Sequence, residues 1–150
     1  ISGVLGSAEI LDLPTIGNMS STHSANPIAC AAGMAVLDEL RDKDLVKGSH
    51  RKGMYLQSRL SQIQKSFPQR VSSYHGKGLI AAILFQDPQS QNPDPYFTSK
   101  VAELCMQRGL LVVHTGRESI KLGPPLTITD DALEEGLDVL EESVRDTASR

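Results

Sequence analysis

Apolar residues recur at helical spacing in four stretches of the chain. Ile28, Ala31, Ala32, Ala35, Val36 and Leu40 fall on one face. The pattern predicts a helix from Ile28 to Leu40, with Asn26 as N-cap and Pro27 in the first helical position. The chain turns at Arg41-Asp42-Lys43-Asp44, and a second helix is expected from Asp44 to about Phe67. Leu45, Leu56, Leu60, Ile63 and Phe67 mark its apolar side, while Gly48 and Gly53 weaken its first half. A third helix spans Tyr96 to Gln107, with Val101, Leu104 and Cys105 inward and Gly109 as its stop. The fourth is capped by Thr129, with Asp130 and Asp131 where the helix dipole favours them. Its stripe is Leu133, Leu137, Leu140 and Val144.

Between the helices the period shortens. Residues 1–12 read as a short strand followed by a helical turn or loop, and 13–25 as loop. Val71 to Tyr74 is a short strand, Gly76 and Gly78 mark a bend, and Leu79 to Phe85 is a nearly unbroken apolar run that predicts a buried strand. Gln86 to Pro95 is loop. Leu110 to Val113 and Ser119 to Leu122 are strands joined by a hairpin-like turn. The order predicts an α/β fold: a small, mostly antiparallel sheet covered by helices.

Composition narrows the function classes. The net charge of −3, with Lys and Arg scattered, argues against a nucleic-acid module. No apolar run is long enough for a membrane span. Cys30 and Cys105 lie in apolar helical patterns and predict two buried reduced thiols of a cytoplasmic protein. No pair of histidines has helical metal-site spacing, and no metal site is expected. The opening Ile1-Ser2-Gly3-Val4-Leu5-Gly6 has neither an initiator Met nor a basic leader. It reads as a start in mid-strand and predicts a piece of a longer polypeptide.

Two places carry candidate chemistry. Ser20-Ser21-Thr22-His23-Ser24-Ala25-Asn26-Pro27 gathers hydroxyls and backbone N–H groups at the mouth of a helix, which suits an anion such as phosphate. Hydroxyls are also common there as turn and cap residues, so both readings stand. Lys121, between Ile120 and Leu122 and ahead of Gly123-Pro124-Pro125, fits either a cation aimed at a substrate carboxylate or a solvated strand face. Arg70 and Arg117 read as surface charges, and Gly76-Lys77-Gly78 as a tight turn. No nucleophile–base set stands out, and no catalytic residue is assigned.

These residues resemble the class III, pyridoxal-phosphate-dependent aminotransferases, the ornithine, acetylornithine and 4-aminobutyrate group. Ser21 to Ala32 is similar to that family's Ser/Thr-Thr-x-Gly-Gly-Asn-Pro-x-x-x-x-Ala stretch. Gly76-Lys77-Gly78-Leu79 resembles its Arg-Gly-x-Gly-Leu turn, and Lys121 to Ile128 its Arg-x-x-Pro-Pro-Leu-x-Ile motif. The opening resembles the segment just after the family's cofactor lysine, and the motifs stand in the family's order.

The resemblance implies that Thr22, with Ser21 beside it, contacts the phosphate of pyridoxal 5'-phosphate held by the partner subunit. It thus implies a homodimer with a shared active site. Lys121 stands where the family anchors the substrate carboxylate with Arg, His75 stands where it usually has Arg, and Ser24-Ala25 replaces Gly-Gly. The Schiff-base lysine and the pyridine-pairing aspartate are expected upstream of Ile1. Residues 1–25 are then the end of a large cofactor-binding domain, and 26–150 a C-terminal small domain. The parent would be a fold-type-I transaminase moving an amino group between an amine or amino acid and a keto or aldehyde acceptor. The 150 residues alone are expected to be inactive. An aminomutase or decarboxylating transaminase of the same family, or a non-catalytic α/β ligand-binding or interaction module, are the alternatives.

Overall fold

The structure is a computed structural model and describes residues 2–18 and 21–149. The chain divides into two compact units, Ile1–Asp44 and Leu45–Arg150.

The first unit holds α1 (Ala8–Leu11) and α2 (Pro27–Asp42). Asn26 caps α2: its side chain accepts hydrogen bonds from the N–H groups of Ile28 and Ala29, and Pro27 takes the first helical position. The helix thus forms where the cap signals place it, and extends two residues past Leu40. Its stripe of Ile28, Ala31, Ala32, Ala35, Val36 and Leu40 is present, but no residue of α2 is buried. Cys30 is half-buried, which corrects the expectation of a buried thiol. The expected opening strand is also absent from residues 2–7; Ile1 lies outside the described residues. An isolated strand has no ladder to satisfy its backbone groups, so extended propensity alone does not make one.

The second unit runs α3 (Leu45–Ser66), β1 (Val71–Lys77), β2 (Ile80–Phe85), α4 (Pro95–Gln107), β3 (Val113–His114), β4 (Ser119–Leu122) and α5 (Asp130–Ala148). The sheet order is β1-β2-β4-β3, and every pairing is antiparallel. The architecture is the predicted one: a small antiparallel sheet with helices against it. Leu56, Leu60 and Ile63 of α3, Val101 and Cys105 of α4, and Leu137, Leu140 and Val144 of α5 close on Ile83, Phe85 and Ile120 of the sheet. Carrying each of these aliphatic side chains fully out of water is worth about 1.5–3 kcal/mol. Burial raises the pKa of the Cys105 thiol, as expected for an inert core sulfur.

Three local expectations change. β2 alternates rather than being buried throughout: Ala81, Ile83 and Phe85 are buried, while Ile80 is 76% exposed. The helices of this unit close on the face that carries Ala81, Ile83 and Phe85, so period-2 alternation governs burial even in an apolar run. β1 continues through Gly76 to Lys77, and the turn falls at Gly78, whose φ of +58° suits glycine. β3 is shorter than the expected Leu110–Val113, because only Val113 and His114 find partners on β4, namely Lys121 and Ile120.

Gly53 has a positive reason to be glycine. A Cβ there would lie 2.5 Å from the Gly78 backbone, so α3 sits directly against the β1–β2 turn. Gly48, one turn earlier, meets nothing within 4 Å. Arg59 ties α3 to α5, pairing with Asp138 at 2.6 Å and Glu141 at 3.4 Å. Partial burial opposes its charge, but the hydrogen bonds to Asp138 and Tyr55 outweigh that and raise its pKa. Lys52, also on α3, donates to the carbonyl of Ile128.

Candidate functional site

The polar turn ahead of α2 is built by short-range hydrogen bonds. The Ser21 carbonyl accepts from Ser24 N–H at 3.0 Å, and Ser21 Oγ accepts from His23 N–H at 3.4 Å. Ala25 closes the turn with a φ of +55°. That is the left-handed region, where a Cβ is penalised by about 1–2 kcal/mol. The strain falls at a position where the resembled motif has glycine.

Asn26 Oδ1 takes the N–H of Ile28 at 3.0 Å and of Ala29 at 3.2 Å. Pro27 has no N–H to give. The helix's own leading donors are therefore occupied. This narrows the expectation that N–H groups at the helix mouth meet an anion: the hydroxyls and the turn remain as donors. Ser21 and Thr22 are both exposed. Thr22 Oγ1 bonds to no described residue, and Ser21 Oγ, an acceptor from His23, keeps its own proton to donate. Two neighbouring hydroxyls with O–H groups to spare fit one edge of a phosphate. Ser20, the third hydroxyl of the pattern, lies outside the described residues.

Lys121 is positioned by β4. Ile120 points into the core at 0% exposure, so alternation turns Lys121 to the open face of the sheet. Its register partners are Ala82 on β2 and Val113 on β3. It stands at a cleft of about 560 Å³ whose walls include Ile80, Val113, Leu122, Pro124 and Leu133. A single ammonium beside apolar walls suits a ligand with one charged end.

Sequence reasoning missed a second polar centre. Arg70, read as a surface charge, stacks 4.5 Å over the Phe97 ring and pairs with Asp94 at 3.3 Å. Asp94 also caps α4, accepting from Phe97 N–H at 2.9 Å. The N-cap signal of Asp94-Pro95 was the available clue. This group borders a cleft of about 510 Å³ with Tyr96, Lys100 and Glu103, and its charges are internally paired. Among the described residues, no group of His, Cys, Asp and Glu could hold a metal ion. No described helix is long and apolar enough to cross a membrane.

Comparison with known proteins places these features in a wider frame. The family described as Aminotransferase class-III matches residues 1–144. The chain is 34% identical over 148 residues to a leucine/methionine racemase of Thermococcus litoralis, covering 97% of this chain and 33% of that protein. It is 31% identical over 148 residues to a 4-aminobutyrate aminotransferase of Mycobacterium leprae, with the same two coverages. Among solved structures, an acetylornithine aminotransferase from Elizabethkingia anophelis superposes with a TM-score of 0.82 at 28% identity, over 95% of this chain and 34% of that one. The chain thus spans about a third of the length of the curated relatives it matches.

Proposed function

Because this chain belongs to the class III aminotransferases, we propose that it supplies the C-terminal third of an enzyme that moves an amino group between an amine or amino acid and a keto or aldehyde acceptor. The cofactor of that reading is pyridoxal 5'-phosphate, which when bound supplies the electron sink for amino-group chemistry. The observation that carries the proposal is the turn ahead of α2. It leaves Ser21 and Thr22 exposed, in a segment whose sequence follows the family's phosphate-contact motif.

In this reading Thr22, with Ser21, donates to the cofactor phosphate of a partner subunit, and the active protein is a cytoplasmic homodimer. Lys121 holds the charged end of the substrate at the open sheet face, and Ile80 and Val113, on that same face, exclude water from its chain. Residues 1–25 end the large domain, and 26–150 form the small one. The covalent anchor of the cofactor belongs to the rest of the polypeptide. Four of the lysines present have other engagements. Lys43 and Lys100 pair with Glu39 and Glu103, Lys52 is spent on Ile128, and Lys121 belongs to a separate motif. The 150 residues alone are expected to be catalytically silent.

A second reading, amino-acid racemisation, is favoured by the identity to the Thermococcus litoralis racemase. The two part in one assay of the complete protein. Transamination predicts turnover only when donor and acceptor are both supplied, with the amino group recovered on the acceptor. Racemisation predicts loss of optical activity from a single amino acid. Rearranged or decarboxylated product would support the aminomutase or decarboxylating alternative. No cofactor binding and no turnover would leave the non-catalytic module.

A further inference from the structure

The basic residues of this chain are not evenly used. Every described arginine sits in an ion pair. The side chains of Lys77, Lys121 and His75 make no hydrogen bond or ion pair with any described residue. These three stand together. His75 opposes Ala82, Ala82 opposes Lys121, and Lys77 opposes Ile80. All lie on the sheet face turned away from the buried Ile83 and Ile120. His75 and Lys77 are two residues apart on one strand, about 7 Å, and His75 and Lys121 are two strand spacings apart, about 10 Å. Ala82 between them carries only a methyl group. The other outward strand positions of this face are Ser73, Leu84, Ser119 and Val113, so no described strand position brings a carboxylate to it.

We propose that His75, Lys77 and Lys121 bind a compact tetrahedral oxyanion over Ala82, and so select amine substrates that carry a phosphate or phosphonate group. A lone carboxylate is best held by the planar fork of arginine. Ammonium groups act as point charges, and three donors approaching from separate strands match an ion whose acceptors point in several directions. The binding of the ion rests on this chain alone. Its assignment to the substrate rests on the substrate-side reading of Lys121 above.

The test is residue-resolved NMR of the complete, cofactor-loaded protein titrated with inorganic phosphate, with sodium chloride at matched ionic strength and succinate as separate arms. Saturable shifts at His75, Ala82 and Lys121 are expected with phosphate. Affinity should fall about tenfold in Lys121→Gln and at least threefold in His75→Gln, while the signals of Ile83 and Ile120 report an intact core. Phosphate shifts no larger than those in chloride, equal or tighter binding of succinate, or unchanged affinity in Lys121→Gln would each overturn the site. In the complete protein, competition between phosphate and the amine substrate supports the assignment to substrate. Binding without competition overturns that assignment, and cofactor retention, measured separately, is unaffected by it.

Discussion

α2 and α5 are both capped at their starts, and they end in opposite conditions. Asn26 closes the start of α2 and Thr129 that of α5, each accepting from backbone N–H groups inside its helix. Both carry an apolar stripe. In α5 Leu133, Leu137, Leu140 and Val144 are buried, whereas α2 buries nothing and leaves Ile28 82% and Leu37 60% exposed. Local signals decide that a helix forms and which side is apolar. They do not say what covers that side. α5 finds its cover within these 150 residues, and α2 buries none of its residues there.

The largest test of that contrast is truncation of the stripes. Leu140→Ala should cost about 2–5 kcal/mol in denaturant unfolding, because it empties a fully buried site. Val36→Ala in α2 should stay within about 0.5 kcal/mol. Equal effects would remove the distinction.

A similar contrast lies within α3. Gly53→Ala forces a methyl group into the Gly78 backbone and should destabilise by about 1–3 kcal/mol. Gly48→Ala, in open space, should stabilise by up to about 1 kcal/mol through helix propensity. Thermal unfolding of the two variants should move in opposite directions.

The caps give the smallest effect and sharpen the comparison further. Asn26→Ala and Thr129→Ala should each lose about 0.5–2 kcal/mol of helix stability. In α5 the loss should appear as a shift of the global transition. In α2 it should appear as reduced helicity by circular dichroism with the global transition unmoved.

What was legible in the sequence follows the same line. Asn26-Pro27, Thr129 with its two aspartates, and Gly109 at φ +87° fixed helix ends because each acts on its immediate neighbours. The α5 stripe and the antiparallel sheet were legible because their partners are nearby in the chain. Where an expectation failed, the deciding partner was remote or lay outside these residues. Residues 2–7 lack a ladder, Leu110 to Val112 find no strand to pair with, and Cys30 lies on a helix without a cover. Arg70 was misread because its partner Asp94 is 24 residues away. At the candidate site, Thr22 and Lys121 could be named from motif resemblance. The occupation of the Ile28 and Ala29 donors was implicit in reading Asn26 as the N-cap, and the structure shows both bonds made to one oxygen.

The central claim is that the Thr22 hydroxyl donates to the phosphate of a pyridoxal cofactor in the assembled enzyme. The direct measurement is the cofactor dissociation constant of the complete protein carrying Thr22→Val, which keeps shape and removes the hydroxyl, beside Thr22→Ser, which restores it. Weakening by about 1–3 kcal/mol is expected in the valine variant, with recovery in the serine variant. Equal affinity in the unaltered protein and the valine variant would contradict it.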